Sequence, residues 1–305
     1  MNSPTEARNP RTLRIDELDT IEVLRLINAE DQRVPTAVAG TLEQLATAVD
    51  LAVAALRGGG RVHYFGAGSS GRIGFLDAAE LRPTFDAPDG WFCAHQAGGT
   101  KALLRAVENA EDDFAAGETE ATNCVSPGDV VIGLTASGRT PYVLGALGAT
   151  RRQGGRPVLL TANPDAGRSA EVAAEIVIAL DTGPEVIAGS TRMKAATAQK
   201  LALNAFSTAI MVRLGRVYSN LMVSMVATNA KLRARMVSIL VEATGQDEQR
   251  CRAALQAADG ELKPALVALL GGAGVPDARR VLEASEGRVR EALALLSSVS
   301  EAHAS

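Results

Sequence analysis

Apolar positions along the chain change period several times. Ile15, Leu18, Ile21, Leu24 and Leu26-Ile27 recur at helical spacing, Val34-Pro35 breaks the pattern, and Val38 to Leu56 resumes it until Gly58-Gly59-Gly60. Arg61-Val62-His63-Tyr64-Phe65 is then a short β-type run. It is followed by the turn Gly66-Ala67-Gly68-Ser69-Ser70-Gly71-Arg72 and by helical Ile73 to Leu81. The same grammar recurs twice. Trp91 to Ala94 leads through Gly98-Gly99 to a helix over Leu103–Ala110, and Asp129 to Leu134 leads through Thr135-Ala136-Ser137-Gly138-Arg139-Thr140 to a helix over Tyr142–Arg152. Pro157 to Thr161 and Glu175 to Leu180 supply two further strands. Strands that are apolar on both faces and alternate with helices predict a three-layer α/β/α sandwich around a parallel sheet of about five strands. Its glycine and serine turns should gather at the carboxyl ends of the strands.

Strand signals stop at Ser190. Thr191–Leu214 and Asn220–Glu242 read as long helices, and beyond Gly245 a repeat appears. Leu255, Gly260, Leu262, Ala265, Leu266 and Leu269 fall opposite Leu282, Gly287, Val289, Ala292, Leu293 and Leu296. Each copy reads as helix, glycine turn, helix. The expected organisation is a disordered tail over 1–12, an α/β domain with N-terminal helices over 13–242, and a small C-terminal helical domain over 245–298, jointed at Gly271–Gly274.

Composition narrows the chemistry. Only 3% of the 305 residues are aromatic, which disfavours a stacking platform, and a net charge of −4 disfavours nucleic acid as a partner. No apolar run reaches the ~18 residues of a membrane span, and the polar start lacks an apolar h-region, so a soluble cytoplasmic protein is expected. The three cysteines (Cys93, Cys124, Cys251) and three histidines lie far apart in sequence, without the local spacing of a zinc site or a disulfide framework. His63, inside a strand, reads as a core histidine, and His95 near a strand end receives no role.

Gly66–Gly71 fits GxGxxG, but the acidic residue a dinucleotide site needs is missing from the next strand end: Asp86 sits in a Pro-flanked turn. The hydroxyls say more. Ser69 and Ser70 in one loop, and Thr135, Ser137 and Thr140 in the other, stand on turns that each open a helix, where backbone N–H groups already favour an anion. Helix capping is the ordinary alternative. Two loops of matching composition favour a phosphate.

These loops resemble the sugar isomerase (SIS) domain. Ile27-Asn28-Ala29-Glu30-Asp31, Leu76-Asp77-Ala78-Ala79-Glu80 with Pro83-Thr84, Ala106 to Asp112, Gly189-Ser190-Thr191-Arg192-Met193-Lys194-Ala195 and Val226-Ala227-Thr228-Asn229 are similar to the N-acetylmuramic acid 6-phosphate etherase family. The resemblance covers nearly the whole chain. It implies cleavage of a D-lactyl ether by β-elimination and hydration, with a phosphosugar substrate, no metal or nucleotide cofactor, and a homodimer in which the helix from Thr191 packs across the interface. It further implies Glu80 and Glu111 as the catalytic carboxylates, assigned here as general acid and general base with the reverse as the alternative, and Ser69, Ser70, Thr135, Ser137 and Thr140 on the phosphate. Gly68, Arg192 and Lys194 are candidate substrate contacts. On sequence alone Glu111 belongs to an acidic run of the kind that usually faces solvent. The competing functions are a non-catalytic phosphosugar-binding regulator and a phosphosugar isomerase.

Overall fold

The computed structural model describes residues 4–168, 172–225 and 230–304, and places them in two compact units. The motif Val226–Asn229 lies outside the described residues.

The first unit holds Met1–Ala79 and Asp89–Ser207. Helices α1 (Thr20–Asp31), α2 (Val34–Ala39) and α3 (Leu42–Arg57) precede β1 (Val62–Gly66) and α4 (Gly68–Phe85). Next come β2 (Phe92–Gln96), α5 (Lys101–Leu104), α6 (Phe114–Cys124), β3 (Val130–Thr135), α7 (Pro141–Arg152), β4 (Arg156–Thr161), β5 (Ile176–Ala179) and α8 (Lys194–Arg213). The strands form one parallel sheet in the order β2-β1-β3-β4-β5. Strands β1 and β3 are buried throughout, which is why they carry no polar alternation. The expected helix over Leu103–Ala110 is not formed. Helix α5 ends at Leu104, which is 91% exposed, and Asn109 turns left-handed at φ 60° before a short 3-10 turn at Ala110–Asp112.

Residues 4–12 are not a disordered tail. Thr5, Asn9 and Thr12 are buried, the Thr12 hydroxyl donates to the Val186 carbonyl at 2.7 Å, and Asn9 Nδ2 donates to Glu30 Oε2 at 2.9 Å. Polar side chains on a Pro-containing segment look solvated from sequence. Here their partners lie on α1 and on the loop before α8, far along the chain.

Under the first glycine loop, Asp77 accepts from the Tyr64 hydroxyl at 2.8 Å and from the Ser207 hydroxyl at 2.9 Å, and does not pair with Arg72. Burial pushes its carboxyl up to about 6. A carboxyl raised in the folded state binds its proton more tightly there. Its stabilising share is therefore complete below the ordinary aspartate range and is lost as pH rises through about 6. Asp77→Asn keeps an acceptor for Tyr64 and a polar partner for Ser207. It is expected to remove that slope, so that the melting temperature of the variant matches or exceeds the parent above pH 7 and falls below it near pH 4. Parallel melting curves of the two proteins against pH check this.

The second unit holds Glu80–Pro88 and Thr208–Ser305. After the two-residue hairpin β6 (Val217–Tyr218) and β7 (Leu221–Met222) come α9 (Ala230–Thr244), α10 (Glu248–Ala257), α11 (Leu262–Gly271), α12 (Val275–Ala284) and α13 (Val289–Ala304). The hairpin replaces the front of the helix expected over Asn220–Glu242. The unit also starts before residue 245, because Met236, Val237, Ile239 and Leu240 of α9 bury into the same core as Leu255 and Leu266. The sequence repeat is a repeat of structure: α10–α11 and α12–α13 are two helix pairs. Each turns through a left-handed glycine, Gly260 at φ 82° and Gly287 at φ 75°.

Candidate active site

Two strand ends of the first unit carry the hydroxyl loops. Helix α4 begins at Gly68, so Ser69 and Ser70 occupy its first turn, where backbone N–H groups have no partner within the helix. Neither hydroxyl is spent on a hydrogen bond to another described residue, so the capping alternative fails here. The second loop is braced from within. Thr135, at the end of β3, is buried; its Oγ1 lies 2.7 Å from Thr140 Oγ1 and accepts from the Gly138 N–H at 3.2 Å. Gly138 is left-handed at φ 72°, and a Cβ there would stand 2.3 Å from the Ala166 methyl, so the turn tolerates no side chain. Asn163 closes the brace by donating to the Ser137 carbonyl at 2.8 Å.

The loops face a cleft of about 390 Å³ lined by Gly68, Ser69, Ser70, Ser137, Thr140 and Glu111, six of the ten residues singled out from sequence. Thr135 is not on the wall; it sets the loop that puts Ser137 and Thr140 there. Glu111 reaches the wall because the left-handed Asn109 turns the chain after α5; the acidic run is exposed to solvent, and Glu111 and Asp112 of it also border the cleft. A neighbouring pocket of about 190 Å³ shares Gly68 and Glu111 with the cleft and is lined also by Gln96, whose buried Oε1 has no hydrogen-bond partner.

Lys194, Arg192 and Glu80, all expected at the site, are placed off the cleft wall. Lys194 is fully buried, with its ammonium 2.7 Å from Glu30 Oε2, and cannot meet a substrate. Glu185 accepts from the backbone N–H groups of Lys194 at 3.0 Å and Ala195 at 2.9 Å, which makes it the cap of α8. Arg192 is exposed and absent from the cleft wall; Gly189 and Thr191 of the same motif line it instead. Glu80 is exposed on α4 and is not among the residues that line the cleft.

Sequence reasoning missed Thr5 and Glu6. The N-terminal segment lays both along the cleft: the Gly189 N–H donates to the Thr5 carbonyl at 3.0 Å, and the Glu6 carboxylate sits against Gly189. Arg139, within the second hydroxyl loop, is the cation among the lining residues. Its place beside two hydroxyls was the available signal.

Parallel-sheet topology and paired hydroxyl loops at the strand ends define a SIS-domain protein. The description "Glucokinase regulatory protein N-terminal SIS domain" matches residues 44–151. The phosphoheptose isomerase structure from Francisella tularensis superposes with a TM-score of 0.50 at 17% identity, over 64% of this chain and 100% of that one, which shows the shared fold. The N-acetylmuramic acid 6-phosphate etherase of Thermobifida fusca is 60% identical over 270 residues, 88% of either chain. That of Pectobacterium atrosepticum is 50% identical over 290 residues, 95% of either. The chain belongs to the N-acetylmuramic acid 6-phosphate etherase family.

Proposed function

We propose that the protein cleaves the D-lactyl ether of N-acetylmuramic acid 6-phosphate with water, giving N-acetylglucosamine 6-phosphate and D-lactate. The observation that carries this reading is the joining of Glu111 to both hydroxyl loops in one cleft, within a chain of this family. The 6-phosphate lies against Ser69, Ser70, Ser137 and Thr140 and the start of α4, and Arg139 adds charge. In the ring-opened sugar the hydrogen beside the aldehyde is acidic. Glu111 removes it, the lactate oxygen leaves the next carbon with a proton from Glu80, and water adds to the unsaturated aldehyde. Glu111 also borders the smaller pocket, where the unpartnered Gln96 Oε1 suits a bound water.

Glu80 is exposed on its own chain, so its role depends on a second copy: in a homodimer each subunit lends Glu80 to its neighbour's cleft. Exposed Leu13, Leu18, Ile21 and Leu24 give the first unit an apolar surface suited to a partner. Ala195, Ala196, Ala198 and Ala202 of α8, the helix expected to pack across the interface, are buried within the chain and are not that surface. All three cysteines are free thiols, in keeping with a reducing cytoplasm.

The test is direct. Purified protein given N-acetylmuramic acid 6-phosphate should release D-lactate and, in labelled water, place one solvent oxygen in the sugar. Binding without lactate release would favour the regulator, and sugar isomerisation with the ether intact would favour the isomerase. Ser137→Ala should chiefly raise the substrate concentration required, since it touches phosphate anchoring; saturation kinetics read this. Glu6→Ala, which changes the opposite wall, is expected to raise KM for the whole substrate and leave inorganic phosphate inhibition unchanged.

A further inference from the structure

Away from the cleft, on the face of the sheet covered by α6 and α7, the fold assembles residues that sequence spacing kept apart. His63 on β1 and His95 on the edge strand β2 place Nδ1 and Nε2 3.1 Å apart, and Cys124 at the end of α6 brings Sγ to 3.8 Å from the same His95 Nε2. All three ligand atoms lie within 4.8 Å of one another.

The outer nitrogens fix where the protons are. His63 Nε2 is 3.3 Å from Asp129 Oδ2, which already accepts from the Ser126 N–H at 2.8 Å, while Asp129 Oδ1 accepts from the Arg61 N–H at 2.8 Å. His95 Nδ1 is 3.0 Å from Glu120 Oε1, and Glu120 Oε2 accepts from the Tyr142 hydroxyl at 2.6 Å. Both carboxylates are acceptors, so each imidazole turns its single proton outward. With both protons turned outward, two lone pairs face each other at 3.1 Å with a thiol alongside, an arrangement that a bound cation satisfies.

We propose that His63, His95 and Cys124 bind a divalent transition-metal ion of borderline softness, Zn²⁺ by preference, with a fourth position open to solvent. Tetrahedral zinc with nitrogen at about 2.0–2.1 Å and sulfur at about 2.3 Å has N···N and N···S edges of about 3.3 and 3.6 Å, against 3.1 and 3.8 Å for the two edges that meet at His95 Nε2. A carboxylate behind each imidazole is the usual outer support of a zinc-binding histidine. Binding releases the Cys124 thiol proton to solvent, leaving a thiolate and two neutral imidazoles on the ion. None of the three ligands lines the cleft, so the ion clips β1, β2 and α6 together and takes no part in ether cleavage.

The experiment uses untagged full-length protein, freed of metal and titrated with Co²⁺ and then Zn²⁺. The expected result is one Co²⁺ per chain with a thiolate charge-transfer band, displaced by one Zn²⁺, and a metal-dependent rise in melting temperature. Cys124→Ser should abolish the band and leave lactate release intact, and Cys93→Ser should keep the band. A parent protein with no band and no metal-dependent melting shift overturns the proposal, as does equal binding by Cys124→Ser. Should that variant fail to fold, nitrogen NMR of the parent decides. Inner histidine nitrogens that respond to Zn²⁺ uphold the site, and a shared proton indifferent to Zn²⁺ overturns it.

Discussion

Glu111→Gln is expected to lower lactate release by about 10²–10⁴-fold, the range for losing a general acid or base, with little change in the binding of sugar phosphates. The substitution keeps the size of the side chain and its place on the cleft wall but removes the base. Exchange of the acidic sugar hydrogen with solvent should vanish with it. Glu80→Gln is expected to abolish lactate release while that exchange persists, because the proton can still leave although the ether oxygen cannot. The reverse pattern would exchange the two roles. Mixing the two inactive variants then tests where Glu80 acts. If it serves the neighbouring subunit, a mixed dimer has one site with both glutamates, and random mixing should restore about a quarter of the parent activity. If both glutamates serve one chain, mixing restores none.

Lys194→Met is expected to destabilise the protein by about 1.5–3 kcal/mol, the range for losing a hydrogen bond to a charged group, because Glu30 keeps Arg11 and Asn9 as partners. The Lys194 ammonium and the Glu30 carboxylate meet at 2.7 Å with 0% and 3% exposure. Glu30 also takes the Arg11 guanidinium and the Asn9 amide. The Arg11 hydrogen bonds, helped by Lys194 and Asn9, hold the Glu30 carboxyl down at about 2 against the opposing effect of burial. A carboxyl lowered in the folded state stabilises above its ordinary range, and this share is lost only as pH falls toward about 2. Denaturant unfolding near neutral pH should therefore show the full loss in Lys194→Met. The double variant Glu30→Met/Lys194→Met should be less stable still, since it also takes away the carboxylate that holds Arg11 and the buried Asn9 amide. Because Arg11 and Asn9 also hold the segment bearing Thr5 and Glu6, both variants should raise KM as well.

The sheet and its hydroxyl loops were legible because strand burial and turn chemistry are local properties. A run such as Val130–Leu134 has no polar face, and Gly138 has no room for a side chain. Helix α6 escaped notice because small residues replace the usual apolar stripe. A Cβ at Gly117 would lie 1.9 Å from the Tyr142 carbonyl oxygen and one at Gly145 2.2 Å from that of Phe114, so α6 and α7 touch through their backbones. Leu103, Leu104 and Val107 mimic a helix in spacing, yet the extended Arg105, at φ −152° and ψ 158°, ends it after Leu104. Lys194 misled for a different reason: a cation in a substrate-like motif looks the same whether it faces a ligand or a buried Glu30. Thr5 and Glu6 gave no signal, since their neighbours at the cleft are residues such as Gly189, which no local pattern connects to them.

The link from Lys194 back to Glu30 spans 164 residues, and that from Thr12 to Val186 spans 174. On a ribosome, a growing chain with both hydroxyl loops already outside would still lack its N-terminal cleft wall, because the partners of that wall would not yet have been made. Asn9 and Arg11 can meet Glu30 early, but Thr5 and Thr12 must wait for most of the first unit to be synthesised. Closing so long a loop is slow relative to local helix formation. Competence to bind substrate should thus be among the last properties the first unit acquires, after its sheet has formed.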